Sequence, residues 1–152
     1  MNEKKAVYNS LGTQKGEATN FIAVGSSAHG VLNDNYYFQN FYEQDLYRKA
    51  LDEEKFPIYR GIKISNDDAI RREVIRHIRT FFNVEYSFFE NKYKINFADY
   101  FAKEIMNLKV YENDELLKLN DNNFILSDLG QHFSPQVANV FDTYNNQEFY
   151  LK

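Results

Sequence analysis

The chain has no cysteine and no tryptophan, only two prolines and six glycines, and no long uninterrupted apolar run. Without cysteine there can be no disulfide, thiolate nucleophile, zinc finger or cysteine-held iron–sulfur cluster within these 152 residues. No segment approaches the roughly 18 consecutive apolar residues of a membrane-spanning helix. The opening Met1-Asn2-Glu3-Lys4-Lys5 is charged and lacks the apolar segment that follows in a secretion signal, so a cytoplasmic location is expected. Basic excess is also missing. The net charge of −4 disfavours non-specific binding to nucleic acid or to an anionic membrane, since both require a positive surface. His29, His77 and His132 lie roughly fifty residues apart, and no two share metal-ligand spacing on one helix. No metal site and no catalytic residue are expected in this chain.

What is present is aromatic. Phe and Tyr make up 17% of the chain, with 14 Phe and 12 Tyr, and 43% of the residues are hydrophobic. That length suits one domain with a real core or one and a half small ones, and the composition suits a core built on large rings. Residues 1–20 are polar, with Gly12 and Gly16, and read as an irregular lead-in. Phe21-Ile22-Ala23-Val24 reads as a short buried strand. It is followed by Gly25-Ser26-Ser27-Ala28-His29-Gly30, whose small side chains let a backbone approach a ligand closely. An aromatic patch, Tyr36-Tyr37-Phe38, comes next.

From Phe41 to Glu54, Leu46, Tyr47, Ala50 and Leu51 form the stripe of an amphipathic helix that stops before Pro57. Residues 59–64 read as an extended linker. Ser65 is a good N-cap for a helix whose stripe is Ile70, Val74, Ile78, Phe81 and Phe82, with Asp67 and Asp68 at its positive end. Arg71, Arg72, Arg76 and Arg79 occupy its other faces and could clamp carboxylates or phosphates, or simply pair with nearby acids. Further helices are predicted over 87–93 and from Asn96 through Phe97, Phe101, Ile105 and Leu108. A β-hairpin around Asn120-Asp121-Asn122 and a last helix over 129–144 complete the pattern. In that helix Pro135 is tolerated if Ser134 caps a new segment. The fold class expected is mainly α with a small β-hairpin. Residues 41–152 form a winged-helix-like helical domain, to which residues 1–40, with their one short strand, do not belong by pattern.

No nucleophile elbow, phosphate loop or dinucleotide fingerprint occurs. Six segments in order nonetheless resemble one family: "GTQKG" at 12–16, "VGSSAHG" at 24–30, "YYFQN" at 36–40, "YRGIKISNDDAIRREVIRHI" at 59–78, "NFADYFAKEI" at 96–105 and "FDTY" at 141–144. Together they resemble the C-terminal third of the oxygen-independent coproporphyrinogen III oxidases, radical S-adenosylmethionine enzymes of haem biosynthesis. That family oxidatively decarboxylates two propionates of coproporphyrinogen III to vinyl groups. The resemblance implies a partial barrel carrying a [4Fe–4S] cluster and S-adenosylmethionine, covered by a helical C-terminal domain. Residues 1–40 would then be the end of the barrel and 41–152 the cover.

The same resemblance implies that Gly25, Ser27, Ala28 and His29 line a cofactor cavity, and that Gln14 matches a glutamine of the family's second cofactor site. Arg60, Arg71 and Arg72 are the candidate propionate contacts. The chain departs from the family in three places. The family's "GYTTQ" approach reads Ser10-Leu11-Gly12-Thr13-Gln14, His29 is shared with the related haem-chaperone branch, and Pro135-Gln136 replaces an Arg-Asn pair. Because the family's cluster cysteines are absent, no cofactor is expected in this chain alone. The expected partner is the missing N-terminal barrel half, with coproporphyrinogen III or another tetrapyrrole as ligand. Exposed apolar surface at Phe21, Ile22 and Val24, with self-association or a mobile first forty residues, would follow. The alternative is a stand-alone winged-helix-like module that binds a tetrapyrrole or a protein.

Overall fold

The computed structural model describes residues 6–9, 12–15, 20–33 and 35–144. They form two compact units, one of residues 16–69 and one of residues 1–15 with 70–152. Helices and small antiparallel sheets are both present, so the β content exceeds the single hairpin expected from sequence.

The unit of residues 16–69 is built on a three-stranded antiparallel sheet of β3 (His29–Leu32), β4 (Tyr36–Asn40) and β5 (Ile58–Lys63), in that order. Helix α1 (Gln44–Asp52) connects β4 to β5. The chain departs from the sequence pattern here at two places. The supposed linker over 59–64 is mostly strand β5, because its NH and CO groups find partners on β4. Conversely, Phe21–Val24 is not a buried strand. Phe21 makes one isolated antiparallel bridge to Val31, while Ile22 and Val24 are 77% and 85% exposed.

The alternation of β3–β5 explains two of the glycines. Gly30, Phe38 and Gly61 are cross-strand partners on one face, and the Phe38 ring lies over Gly30. A Cβ at Gly30 would sit 2.0 Å from the tip of that ring, so the side chain on β4 needs a hydrogen on β3. On the opposite face His29, Gln39 and Arg60 stand in one row. Just beyond that row the β4–β5 register shifts, with Asn40 opposite Ile58, so Tyr59 is the extra residue of a bulge.

In the other unit the first fifteen residues contribute a hairpin, β1 (Ala6–Asn9) with β2 (Gly12–Lys15), where the sequence suggested irregular chain. Gly16 lies outside the described residues. Helix α2 (Asn66–Phe81) starts as expected at Ser65. The Asp68 N–H donates to the Ser65 hydroxyl at 3.1 Å, and the Ser65 N–H donates back to the Asp68 carboxylate at 3.0 Å. Ile70, Val74 and Ile78 are buried as the stripe requires, but Phe81 is exposed. Phe81 is the last residue of the helix, and Phe82 after it lies in the left-handed region at φ 55°.

Then follow β6 (Asn83–Glu85), α3 (Tyr86–Tyr93), α4 (Phe97–Tyr100), α5 (Ala102–Asn113), β7 (Leu117–Leu119), β8 (Asn123–Leu126), α6 (Asp128–His132) and α7 (Ser134–Asn139). The predicted hairpin is β7–β8, widened by β6 into a sheet of order β6-β8-β7.

Both long helices expected in this half are broken. Asn96 caps α4 by accepting the Asp99 N–H at 3.0 Å, and the non-helical Phe101 separates α4 from α5. The last predicted helix is two short ones. Ser127 caps α6, Phe133 interrupts, and Pro135 falls at the start of α7, where its missing N–H is harmless. Gly130 lies so close to β7 that a Cβ would fall 1.7 Å from the Leu116 carbonyl oxygen.

The core of this unit is the aromatic one the composition suggested. Phe89, Phe97, Phe101, Phe124 and Phe141 are fully buried. Phe97 contacts Tyr86 (4.4 Å, stacked), Phe101 (4.8 Å) and Phe89 (5.2 Å), and Phe141 stacks on Phe124 and meets Phe101 edge-on. Each such ring contributes roughly 1.5–3 kcal/mol on burial, with offset and edge-to-face pairs adding to it.

Candidate functional site

The Gly25–Gly30 segment is a bend held open by its neighbours rather than by its own side chains. Gly25 has φ +103° and Ser27 has φ 62°, so two residues of the bend lie in the left-handed region. Asn40, 1% exposed, is the residue that fixes it. Its side-chain amide donates to the Ala23 carbonyl at 3.2 Å and to the Gly25 carbonyl at 3.0 Å, while its backbone N–H donates to the Ala28 carbonyl at 2.9 Å. From α1, the Tyr47 hydroxyl accepts the Gly25 N–H at 2.9 Å. The Ser27 N–H donates to the Phe41 carbonyl at 2.9 Å. Sequence reasoning missed Asn40 and gave Tyr47 only a packing role. The signal for Asn40 was an amide at the end of an aromatic strand, which reads equally well as a turn residue.

Gly25 and Ala28 are half-buried, whereas Ser27 and His29 are exposed. Arg60 is tied to the same bend by way of Gln39. Its Nε donates to Gln39 Oε1 at 2.9 Å, and Gln39 Nε2 donates to the Ser27 carbonyl at 3.3 Å. Arg60 is exposed, and neither of its terminal nitrogens has a hydrogen-bond partner among the described residues. Its guanidinium lies 5.9 Å from the Tyr59 ring, which meets Tyr42 edge-on at 5.7 Å. The structure thus brings together Gly25, Ser27, Ala28, His29 and Arg60.

The other predicted site residues lie in the helical unit. Arg71 Nη1 donates to Glu104 Oε1 at 2.8 Å and to the Phe141 carbonyl at 3.4 Å, and its guanidinium lies 5.3 Å from the Phe101 ring. Arg72, one residue on, is half-buried on α2. Gln14 falls in β2, where only the backbone is described.

On the same helix a buried acid organises two cations and a histidine. Glu73 is 3% exposed and accepts from Arg76, from Lys92 of α3 at 3.3 Å and, at 3.7 Å, faces His77 Nε2. Burial pushes its carboxyl upward, but the His77 hydrogen bond and the Arg76 and Lys92 charges outweigh that and hold it down at about 2. The i, i+3, i+4 spacing of Glu73, Arg76 and His77 made this pairing readable. The arrival of Lys92 was not. Among the described residues no group of three or more His, Asp or Glu could hold a metal ion, and no helix is long and apolar enough to cross a membrane.

Comparison with known proteins decides what kind of chain this is. Residues 64–133 match the family model described as the HemN C-terminal domain. The chain is 36% identical over 126 residues to the oxygen-independent coproporphyrinogen III oxidase of Helicobacter pylori, covering 83% of this chain and 27% of that protein. It is 35% identical over 130 residues to the Synechocystis sp. enzyme of the same name, covering 83% and 28%. The chain belongs to the oxygen-independent coproporphyrinogen III oxidase family, matching its C-terminal portion. The solved structure of the coproporphyrinogen III oxidase (HemN) from Escherichia coli, described as a radical SAM enzyme, superposes with a TM-score of 0.86 at 29% identity. That match covers 92% of this chain and 32% of the other. The chain therefore spans about a third or less of the length of the oxidases it matches.

An iron–sulfur cluster held by thiolates does not fit the donors of this stretch, since none of its residues is cysteine.

Proposed function

We propose that this chain acts as the C-terminal portion of a coproporphyrinogen III oxidase-like protein of porphyrin and haem biosynthesis. It supplies substrate-facing and structural surface and performs no radical chemistry by itself. The observation that supports this most is the Arg60–Gln39–Ser27 connection. It joins an exposed guanidinium, suited to a propionate, to a bend of small residues where the relatives' resemblance puts a cofactor. Gly25, Ser27, Ala28 and His29 would border S-adenosylmethionine, with Gln14 on a second cofactor site, and the iron–sulfur cluster would be held elsewhere.

Arg60 is the first candidate for the substrate's carboxylates. Arg71 and Arg72 are the further candidates, and Arg71 would have to give up Glu104 to serve. In this reading residues 1–40 are the end of the barrel part and 41–152 its winged-helix-like cover, with β7–β8 as the wing. The exposed Ile22 and Val24 then meet the missing N-terminal part of the barrel.

The test is complementation. The chain is mixed with a cysteine-bearing N-terminal part of a relative, under anaerobic conditions with S-adenosylmethionine and coproporphyrinogen III. Decarboxylation is expected only from the mixture and is expected to fall about tenfold or more with Arg60→Ala. Turnover by the 152-residue chain alone would overturn the reading.

A second reading is a stand-alone module that binds a tetrapyrrole or a protein partner in the cell. It is favoured by the closed aromatic core of the helical unit. Binding of coproporphyrin III, followed by absorbance, without any complementation would support it over the first.

A further inference from the structure

Gln39 uses both ends of its amide. Its oxygen accepts from Arg60 on β5, and its nitrogen donates to the Ser27 carbonyl in the bend. Its neighbour Asn40 holds the bend's carbonyls at residues 23, 25 and 28. A side-chain amide cannot turn over without exchanging donor for acceptor at both ends. The orientation of the Arg60 guanidinium and the hydrogen bond on Ser27 are therefore set together.

We propose that Gln39 is a positioning residue that couples carboxylate binding at Arg60 to the shape of the Gly25–His29 bend. A carboxylate on the two terminal nitrogens of Arg60 fixes the guanidinium plane. That holds the Gln39 oxygen on Nε and keeps the Gln39 nitrogen on Ser27, so the bend opens less often. Ser27 is where the bend opens most readily once released, because its left-handed backbone at φ 62° is held by neighbours rather than by intrinsic preference. The ligand class is a carboxylate-bearing substrate, and the consequence is that a cofactor against the bend would meet a firmer surface once the substrate is seated. This rests on Arg60 as a propionate contact, but the coupling itself can be tested without any tetrapyrrole.

The measurement is amide hydrogen exchange in the full 152-residue chain, read at Ser27, whose N–H bonds Phe41, and at Asn40, whose N–H bonds Ala28. In the ligand-free chain Arg60→Ala should speed exchange at both positions by about three- to tenfold, the range expected for one hydrogen bond. Gln39→Glu still accepts from Arg60 but cannot donate to Ser27, and should do the same. Ile62→Ala, an exposed change on the same strand, should leave both unchanged. Saturating coproporphyrin III should slow exchange at Ser27 and Asn40 in the wild type and leave it unaltered in Gln39→Glu.

Unchanged exchange in Arg60→Ala would overturn the coupling whatever the chain binds. So would ligand-induced slowing that survives Gln39→Glu. Failure of coproporphyrin III to bind the wild type would instead remove the tetrapyrrole reading, and the ligand-free arm would still decide the coupling.

Discussion

In the helical unit, hydrophobic residues from Ile70 to Phe141 are buried in one cluster of interlocking rings. In the unit of residues 16–69, the only buried positions among the described residues are Gly30, Asn40 and Pro57, and large apolar side chains such as Phe56 and Ile62 are exposed. One unit is held by apolar area removed from water, and the other by a ladder of backbone bonds and a few side-chain amides. The difference teaches where function can be carried. A ring core is insensitive to small changes at its rim but intolerant of holes. A hydrogen-bonded bend over a thin sheet can open locally at little cost, which is what a ligand-contacting segment requires.

The largest effect that would break this contrast is a hole in the ring core. Phe97→Ala removes a fully buried ring that contacts three others, and about 3–5 kcal/mol of stability should be lost in denaturant melts. The helical signal should go with it. A loss under about 1 kcal/mol would show that the core is looser than its burial indicates.

Next is the buried acid. The folded Glu73 carboxyl titrates at about 2, below the ordinary 4.5, so the stability it contributes is present above pH 4.5 and is lost as pH falls through 2. The size is on the order of 3 kcal/mol. Melts from pH 7 to pH 2 should show that loss, and Glu73→Gln should lower stability at pH 7 and flatten the slope between pH 4.5 and 2.

The sheet unit is sharpened by Gly30→Ala. The new methyl meets the Phe38 ring, at a cost of roughly 1–3 kcal/mol. Hydrogen exchange should rise in β3 and β4 while the ring core keeps its protection. Equal loosening in both units would erase the distinction drawn between them.

The smallest effect has the opposite sign. Lys94 closes α3 in the left-handed region at φ 58°, where glycine carries no penalty from Cβ. Lys94→Gly should raise stability by up to about 1 kcal/mol, read as a higher melting temperature.

The helical half was largely legible. The Ser65 cap, the Ile70–Val74–Ile78 stripe, the Asn96 cap and the β7–β8 hairpin follow from local rules, and these elements carry their own periodicity. The breaks at Phe101 and Phe133 did not show. Each keeps the apolar spacing of one continuous helix, but at Phe101 the chain turns to bring a fully buried ring inward, whereas Phe133 stays exposed where the chain turns into α7. The sheet half was read less well. Tyr59–Ile64 has no unbroken alternation and contains a glycine, and its strand exists only because β4 lies beside it. Of the site, the Gly25–Gly30 bend and Arg60 were visible as residue types with unusual freedom or charge. Asn40 and Gln39, which hold them together, were not, because an amide's partners are defined by register across strands.

By itself the sequence determined the chemistry that is absent, the aromatic make-up of the core and the family to which the chain belongs. Each of these depends on residue identity or on neighbours within a few positions. Tertiary structure alone decided that Arg60 reaches Ser27 through Gln39, that Glu73 gathers Lys92 as well as its own helix neighbours, and that Phe38 requires a glycine opposite it. The reason is physical. Those contacts join residues 8 to 21 positions apart in the chain, and no local preference encodes a distance that only strand pairing or helix packing closes.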